Sequence, residues 1–166
     1  MTEDVVRALG YLCLGTRFRR IGERLQADTQ KIIDGFGGAV QPALYPPLAA
    51  IDRLGPLGIG DLAEALGITQ PGATRAVSEL ARMGLVTAQA PPDDQRRRVI
   101  TLTEAGRQAV EEGKTMIWPR IEAAVADLCR DLPAGLLEQL ASMEDRLAER
   151  PLQRRAEDPD DGASSR

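Results

Sequence analysis

The sequence contains no histidine. That removes His-based catalytic triads, HExxH zinc proteases and the commonest general base at once. Only two cysteines are present, Cys13 and Cys129, far apart and without a CxxC, so neither a disulfide framework nor a thiolate metal site is indicated. A reduced, intracellular compartment fits that pattern. Aromatic residues make up 3%, which leaves Leu, Ile, Val and Ala to build the core and favours packed helices over a strand-rich fold. The chain has no apolar run of membrane-spanning length, and its start, Met-Thr-Glu-Asp-Val-Val, lacks the basic and apolar stretches of a secretion signal. A soluble, cytoplasmic protein with no membrane association is expected. There is no Gly-rich cofactor loop and no catalytic cluster, so neither enzymatic activity nor a cofactor nor a metal is expected.

What is present describes an ordinary globular protein: 166 residues, 43% hydrophobic and 28% charged. At roughly 100–200 residues per domain this is one domain. The net charge of −4 argues against nucleic acid only on average. By segment it is +1 over residues 1–34, 0 over 35–107, −4 over 108–150 and −1 over 151–166. The acid is therefore C-terminal, and a local basic patch is what nucleic-acid binding requires. Arg96-Arg97-Arg98 is the densest cationic run.

Apolar residues recur at helical spacing from Glu3 to Ile33 (Val5, Leu9, Leu12, Cys13, Ile21, Leu25, Ile32), predicting one long helix in spite of Gly10, Gly15 and Gly22, each costing about 1 kcal/mol relative to Ala. A loop follows at 35–38. Pro42 then opens a helix through Tyr45, Leu48 and Ile51 that Gly55-Pro56 closes. Two short helices are read at Ile59–Leu66 and Thr69–Met83, with Asp61 in the first turn of one, Gly67 at its left-handed end, Thr69 as N-cap of the next and Pro71 in its first turn. Such a pair, joined tightly at a glycine, reads as helix-turn-helix. Leu85–Ala88 and Arg98–Thr103 flank a polar stretch and predict a hairpin, making a winged helix. Thr103-Glu104-Ala105-Gly106 opens a helix to about Arg130 with a kink at Trp118-Pro119, and Leu136, Leu140, Met143 and Leu147 form a narrow apolar stripe on a last helix. Residues 151–166 have almost nothing to bury and are expected to be disordered.

With Ala73, Ala76, Val77 and Leu80 inward, the second short helix presents Gln70, Thr74, Arg75 and Ser78. These side chains suit base edges: Arg pairs with guanine, Gln with adenine, and Thr meets the thymine methyl, at about 1–3 kcal/mol of discrimination per good bidentate pair. On the hairpin, Arg96, Arg97 and Arg98 suit the minor groove or phosphate, with Asp94 placed to hold the Arg96 guanidinium. Any amphipathic helix has a polar face and most charge runs are solvated surface. Joined to the tight turn and hairpin, the DNA reading is favoured for α-helix and tip, while a merely soluble turn is an equal reading for Arg97 and Arg98.

The order LAxxLG, TR, GLV, DxR, LTxxG across residues 57–107 resembles the MarR family of winged-helix transcription regulators. The resemblance extends over roughly residues 3–148 with the flanking helices. At Gln95, and in the Ala88-Gln89-Ala90 stretch, the family usually has basic residues. The resemblance implies a mainly α fold with a small β-hairpin wing: a domain over 1–150, its reading head at about 42–106, with dimerisation segments at about 3–34 and 107–148. It implies a homodimer on double-stranded DNA at a pseudo-palindromic operator, most often as a repressor, with no cofactor. The contact set on this reading is Thr69, Gln70, Thr74, Arg75, Ser78, Asp94, Arg96, Arg97 and Arg98. Apolar stripes on 3–33, 107–130 and 136–147 exceed what one small winged helix can bury, which agrees with a dimer.

Family members commonly respond to a small-molecule effector or to oxidants at a cysteine of the first helix. Tyr11, Arg17, Phe18 and Tyr45 are candidates to line an effector cavity, Arg17 pairing an anionic ligand, although such aromatics are more often core. Cys13 is a candidate redox switch, but its place on the apolar stripe favours a plain core cysteine, as for Cys129. A second class of function, a winged helix used only for protein contacts, would leave Thr74, Arg75 and Arg96 tolerant of replacement.

Overall fold

The structure, a computed structural model, describes residues 2–89 and 98–157. These fall into two compact units that divide between Ala124 and Val125.

The expected single helix over 3–33 is in three pieces: α1 (Val5–Ala8), a 3₁₀ turn (Gly10–Cys13) and α2 (Leu14–Gly35). Gly10 takes a left-handed φ of 55°, which no helix interior accommodates. Asp4 caps α1, its carboxylate accepting from Arg7 N at 3.2 Å, and pairs across the break with Arg20 of α2 at 3.1 Å. The Arg20 guanidinium holds that carboxyl below its ordinary range.

A 3₁₀ turn (Pro42–Leu44) leads into α3 (Tyr45–Leu54), with Pro46-Pro47 in the first turn, where missing N–H groups cost nothing. Then follow α4 (Ile59–Leu66), α5 (Gln70–Arg82), strands β1 (Val86–Gln89) and β2 (Val99–Leu102), and α6 (Glu104–Glu112). The strands pair antiparallel, Val86 opposite Leu102 through Gln89 opposite Val99. Leu57 adds a bridge to Ile100, giving and receiving backbone bonds at 3.2 and 2.7 Å. One core joins these elements: Ile33, Leu48, Ile51, Leu62, Val77, Leu80, Val86, Ile100, Val110 and Ile117. It is largely aliphatic, as the small aromatic content requires, with Tyr45 in the cluster and Trp118 packed against it. The helical fold with a two-stranded hairpin agrees with the expected class.

The kink expected at Trp118-Pro119 takes another form. A π-helical turn, Gly113–Ile117, separates α6 from α7 (Trp118–Cys129). Pro119 offers no N–H to the preceding turn, and the helix widens ahead of it. The Trp118 ring lies on Gly113, where an added Cβ would stand 2.7 Å from Nε1, and meets Tyr45 edge-on at 5.9 Å. Lys114 Nζ reaches Asp52 at 2.6 Å, tying the π turn to α3.

In the second unit, α8 (Leu136–Glu149) is followed by α9 (Leu152–Glu157). Part of the segment expected to be disordered, residues 152–157, is described as this short helix. The Arg155 guanidinium donates to the carbonyls of Arg150 (2.7 Å) and Arg146 (2.5 Å) at the end of α8, so a polar cap and not apolar burial holds the segment.

Candidate nucleic-acid interface

The helix-turn-helix is built by local signals. Gly58 N donates to Asp61 at 3.2 Å at the start of α4, and Gly67 (φ 62°) ends that helix while Ile68 N reaches Ala63 O at 3.0 Å. Thr69 caps α5, its Oγ1 accepting from Gly72 N at 3.3 Å. Ala73, Val77 and Leu80 are buried against α3 and α4, so the opposite face must point outward. That face holds Gln70, Thr74, Arg75 and Ser78, all exposed.

These four differ in what they leave available. Arg75 has no hydrogen-bond or ion-pair partner among the described residues. Two helical turns on, Arg82 is held by Glu79 at 3.1 and 2.5 Å, a pairing that lowers the Glu79 pKa and raises that of Arg82. Thr74 Oγ1 donates to Gln70 O at 2.9 Å and Ser78 Oγ to Thr74 O at 2.8 Å. The Gln70 amide lies close to Gly60 of α4, 3.4 Å from where a Cβ would stand.

The hairpin is anchored where α6 begins. Thr103 Oγ1 donates to Gly84 O at 2.6 Å and accepts from Gly106 N at 3.0 Å, while Thr103 N donates to Leu85 O at 3.0 Å. Arg98, at the foot of β2, is exposed. Asp94, Arg96 and Arg97 lie outside the described residues.

The remaining candidates are not brought together in one chain. Tyr11 is 93% exposed, whereas Tyr45 is buried beside Trp118, where burial and the Glu112 carboxylate push its phenol pKa up. Phe18 is exposed and Arg17 half-buried. An open cavity of about 320 Å³ between α3 and β2 is lined by Ile51, Asp52, Pro56, Leu102 and Arg107 among others, and by none of those four. Cys13 and Cys129 are free and half-buried. No helix among the described residues is long and apolar enough to cross a membrane.

The sequence pattern of the MarR family matches residues 45–97, a range that begins with α3, takes in α4, α5 and β1, and ends before β2. The HTH-type transcriptional regulator FarR of Neisseria gonorrhoeae is 35% identical over 96 residues, 56% of this chain and 66% of that protein. The uncharacterized HTH-type transcriptional regulator YcgE of Bacillus subtilis (strain 168) is 25% identical over 125 residues, 75% of this chain and 77% of that one. Among solved structures, the transcriptional repressor CouR, a Rhodococcus jostii RHA1 protein, bound to a 23-mer DNA duplex, is similar with a TM-score of 0.67 and 26% identity, over 81% of this chain and 96% of that one. Fold and relatives are those of regulators and not of enzymes. The chain belongs to the MarR family of winged helix-turn-helix proteins and is a DNA-binding transcriptional regulator.

Proposed function

We propose that two copies of the chain bind a pseudo-palindromic operator in the cytoplasm as a repressor, each placing α5 in the major groove and its wing at the minor groove. The observation that carries this is the outer face of α5, where an exposed Arg75 has no partner among the described residues, on a helix whose inner face is fixed in the core. Gln70, Thr74, Arg75 and Ser78 with the cap Thr69 form the groove-facing set, and Asp94, Arg96, Arg97 and Arg98 form the wing set. Repression is supported by similarity to CouR, and release by a small-molecule effector, with Arg17 facing an anionic ligand, completes the reading. A dimer is supported by apolar side chains that one chain leaves in water, Leu12 at 81% and Leu128 at 64% exposed. Gly15 and Gly22 of α2 have open space at their Cβ positions, room for a second backbone to approach.

Arg75→Ala is expected to weaken binding to the selected operator by about 1–3 kcal/mol and to relax preference at one base pair, while Arg96→Ala weakens all duplexes alike and flattens the salt dependence. Titration of each variant on operator and random duplex measures both. Equal losses on the two duplexes for Arg75→Ala would remove it as a base reader. Cys13→Ser is expected to leave peroxide sensitivity unchanged; release from DNA in the native protein alone would instead make Cys13 a redox switch.

A further inference from the structure

We infer that Thr74 and Ser78 read DNA only as hydrogen-bond acceptors, so each selects an exocyclic amino group, the N6 of adenine or the N4 of cytosine. This rests on the DNA-binding reading above and names the base chemistry of that site.

A hydroxyl has one proton and two lone pairs. Both protons are already committed inside α5, that of Thr74 to Gln70 O at 2.9 Å and that of Ser78 to Thr74 O at 2.8 Å. What faces outward is lone pairs and, at Thr74, a methyl group. In the major groove, guanine O6 and N7, adenine N7 and thymine O4 only accept, and phosphate oxygens do too; the amino groups of adenine and cytosine are what donate. Thr74 or Ser78 can meet an accepting group only by giving up its bond to the helix carbonyl. The cap residue Thr69 has the opposite polarity, because its oxygen accepts from Gly72 N. The threonines of this segment are therefore not equivalent in what they offer.

Spacing adds a second constraint. Thr74 and Ser78 are four residues apart, about 6 Å along the axis at about 1.5 Å per residue. That is nearly two base steps at about 3.4 Å each. Arg75, a donor only, lies between them in sequence. The face thus reads acceptor, donor, acceptor: a guanine for Arg75, with amino-bearing bases for its two neighbours.

The test uses the full-length protein and the operator recovered by selection from random duplex. Single bases are replaced in turn, adenine by purine and cytosine by 2-pyrimidinone to delete the amino group, or adenine and guanine by their 7-deaza forms to delete an acceptor. Affinities of the native protein, Thr74→Val and Ser78→Ala are compared on each duplex, so that any general weakening of duplex or helix cancels in the cycle. One deaminated position per half-site is expected to cost the native protein about three- to tenfold and Ser78→Ala nothing further, with a different position behaving so for Thr74→Val. Coupling of either residue to a 7-deaza position, or to no position, overturns the inference while leaving DNA binding standing. A native protein that binds no duplex overturns both.

Discussion

Replacing Leu12 by glutamate, or separately Leu128, is expected to convert the protein from dimer to monomer in sedimentation and to lower operator affinity by about a hundredfold or more. The size follows from the loss of simultaneous engagement: with two half-sites on one duplex, the second reading head binds at high effective concentration only while it is joined to the first. The choice of residues makes the result specific. Leu12 and Leu128 are 81% and 64% exposed in a single chain, so a charge there disturbs little of that chain's own core. In the centre of an interface the same carboxylate would be buried unpaired. Variants that sediment as native dimers and bind DNA normally would mean that these apolar faces meet solvent in the working protein.

Gly106→Ala is expected to destabilise the fold by about 3 kcal/mol or more, because a side chain has to enter space held by backbone. A Cβ at this position would stand 2.0 Å from Leu85 O, closer than any atoms can pack. The neighbouring groups cannot yield cheaply. Leu85 O accepts from Thr103 N at 3.0 Å, and Thr103 Oγ1 bridges Gly84 O and Gly106 N, so moving one breaks the junction of α5, β1 and α6. For a chain of this size the melting temperature is expected to fall by about 6–12 °C, compared at equal protein concentration because the proposed dimer would add to stability. An unchanged melting temperature would show that the backbone relaxes around the methyl group.

That junction illustrates what one sequence reveals. The pattern LTxxG is visible as a motif, and Thr103 as a helix cap follows from its position; the need for glycine at 106 does not, because it depends on a carbonyl twenty-one residues earlier. The helix-turn-helix was legible to within a residue because its signals are local: Asp61 in a first turn, Gly67 at a left-handed end, Thr69 as a cap. The strands were legible from β-branched runs. Leu57 was not, since a single apolar residue between Pro56 and Gly58 carries no period. The break at Gly10 also escaped, because a glycine within a helical apolar pattern is as consistent with a costly helix position as with a turn. Here the Asp4–Arg20 pair, sixteen residues apart, accompanies the turn. The same holds for the site. Which face of α5 is outward could be read from Ala73, Val77 and Leu80, whereas the direction of the Thr74 and Ser78 protons needs the helix backbone in place. The fates of Tyr11 and Tyr45, one in solvent and one beside Trp118, are set by packing that spacing does not encode.

Selection of bound duplexes from a random pool, with the number of chains per duplex measured on the winners, tests the central claim most directly. The account predicts an inverted repeat whose half-site centres lie about 10 base pairs apart or a multiple of that, occupied by two chains. Enrichment of no sequence, or of an unrepeated site occupied by one chain, would contradict it.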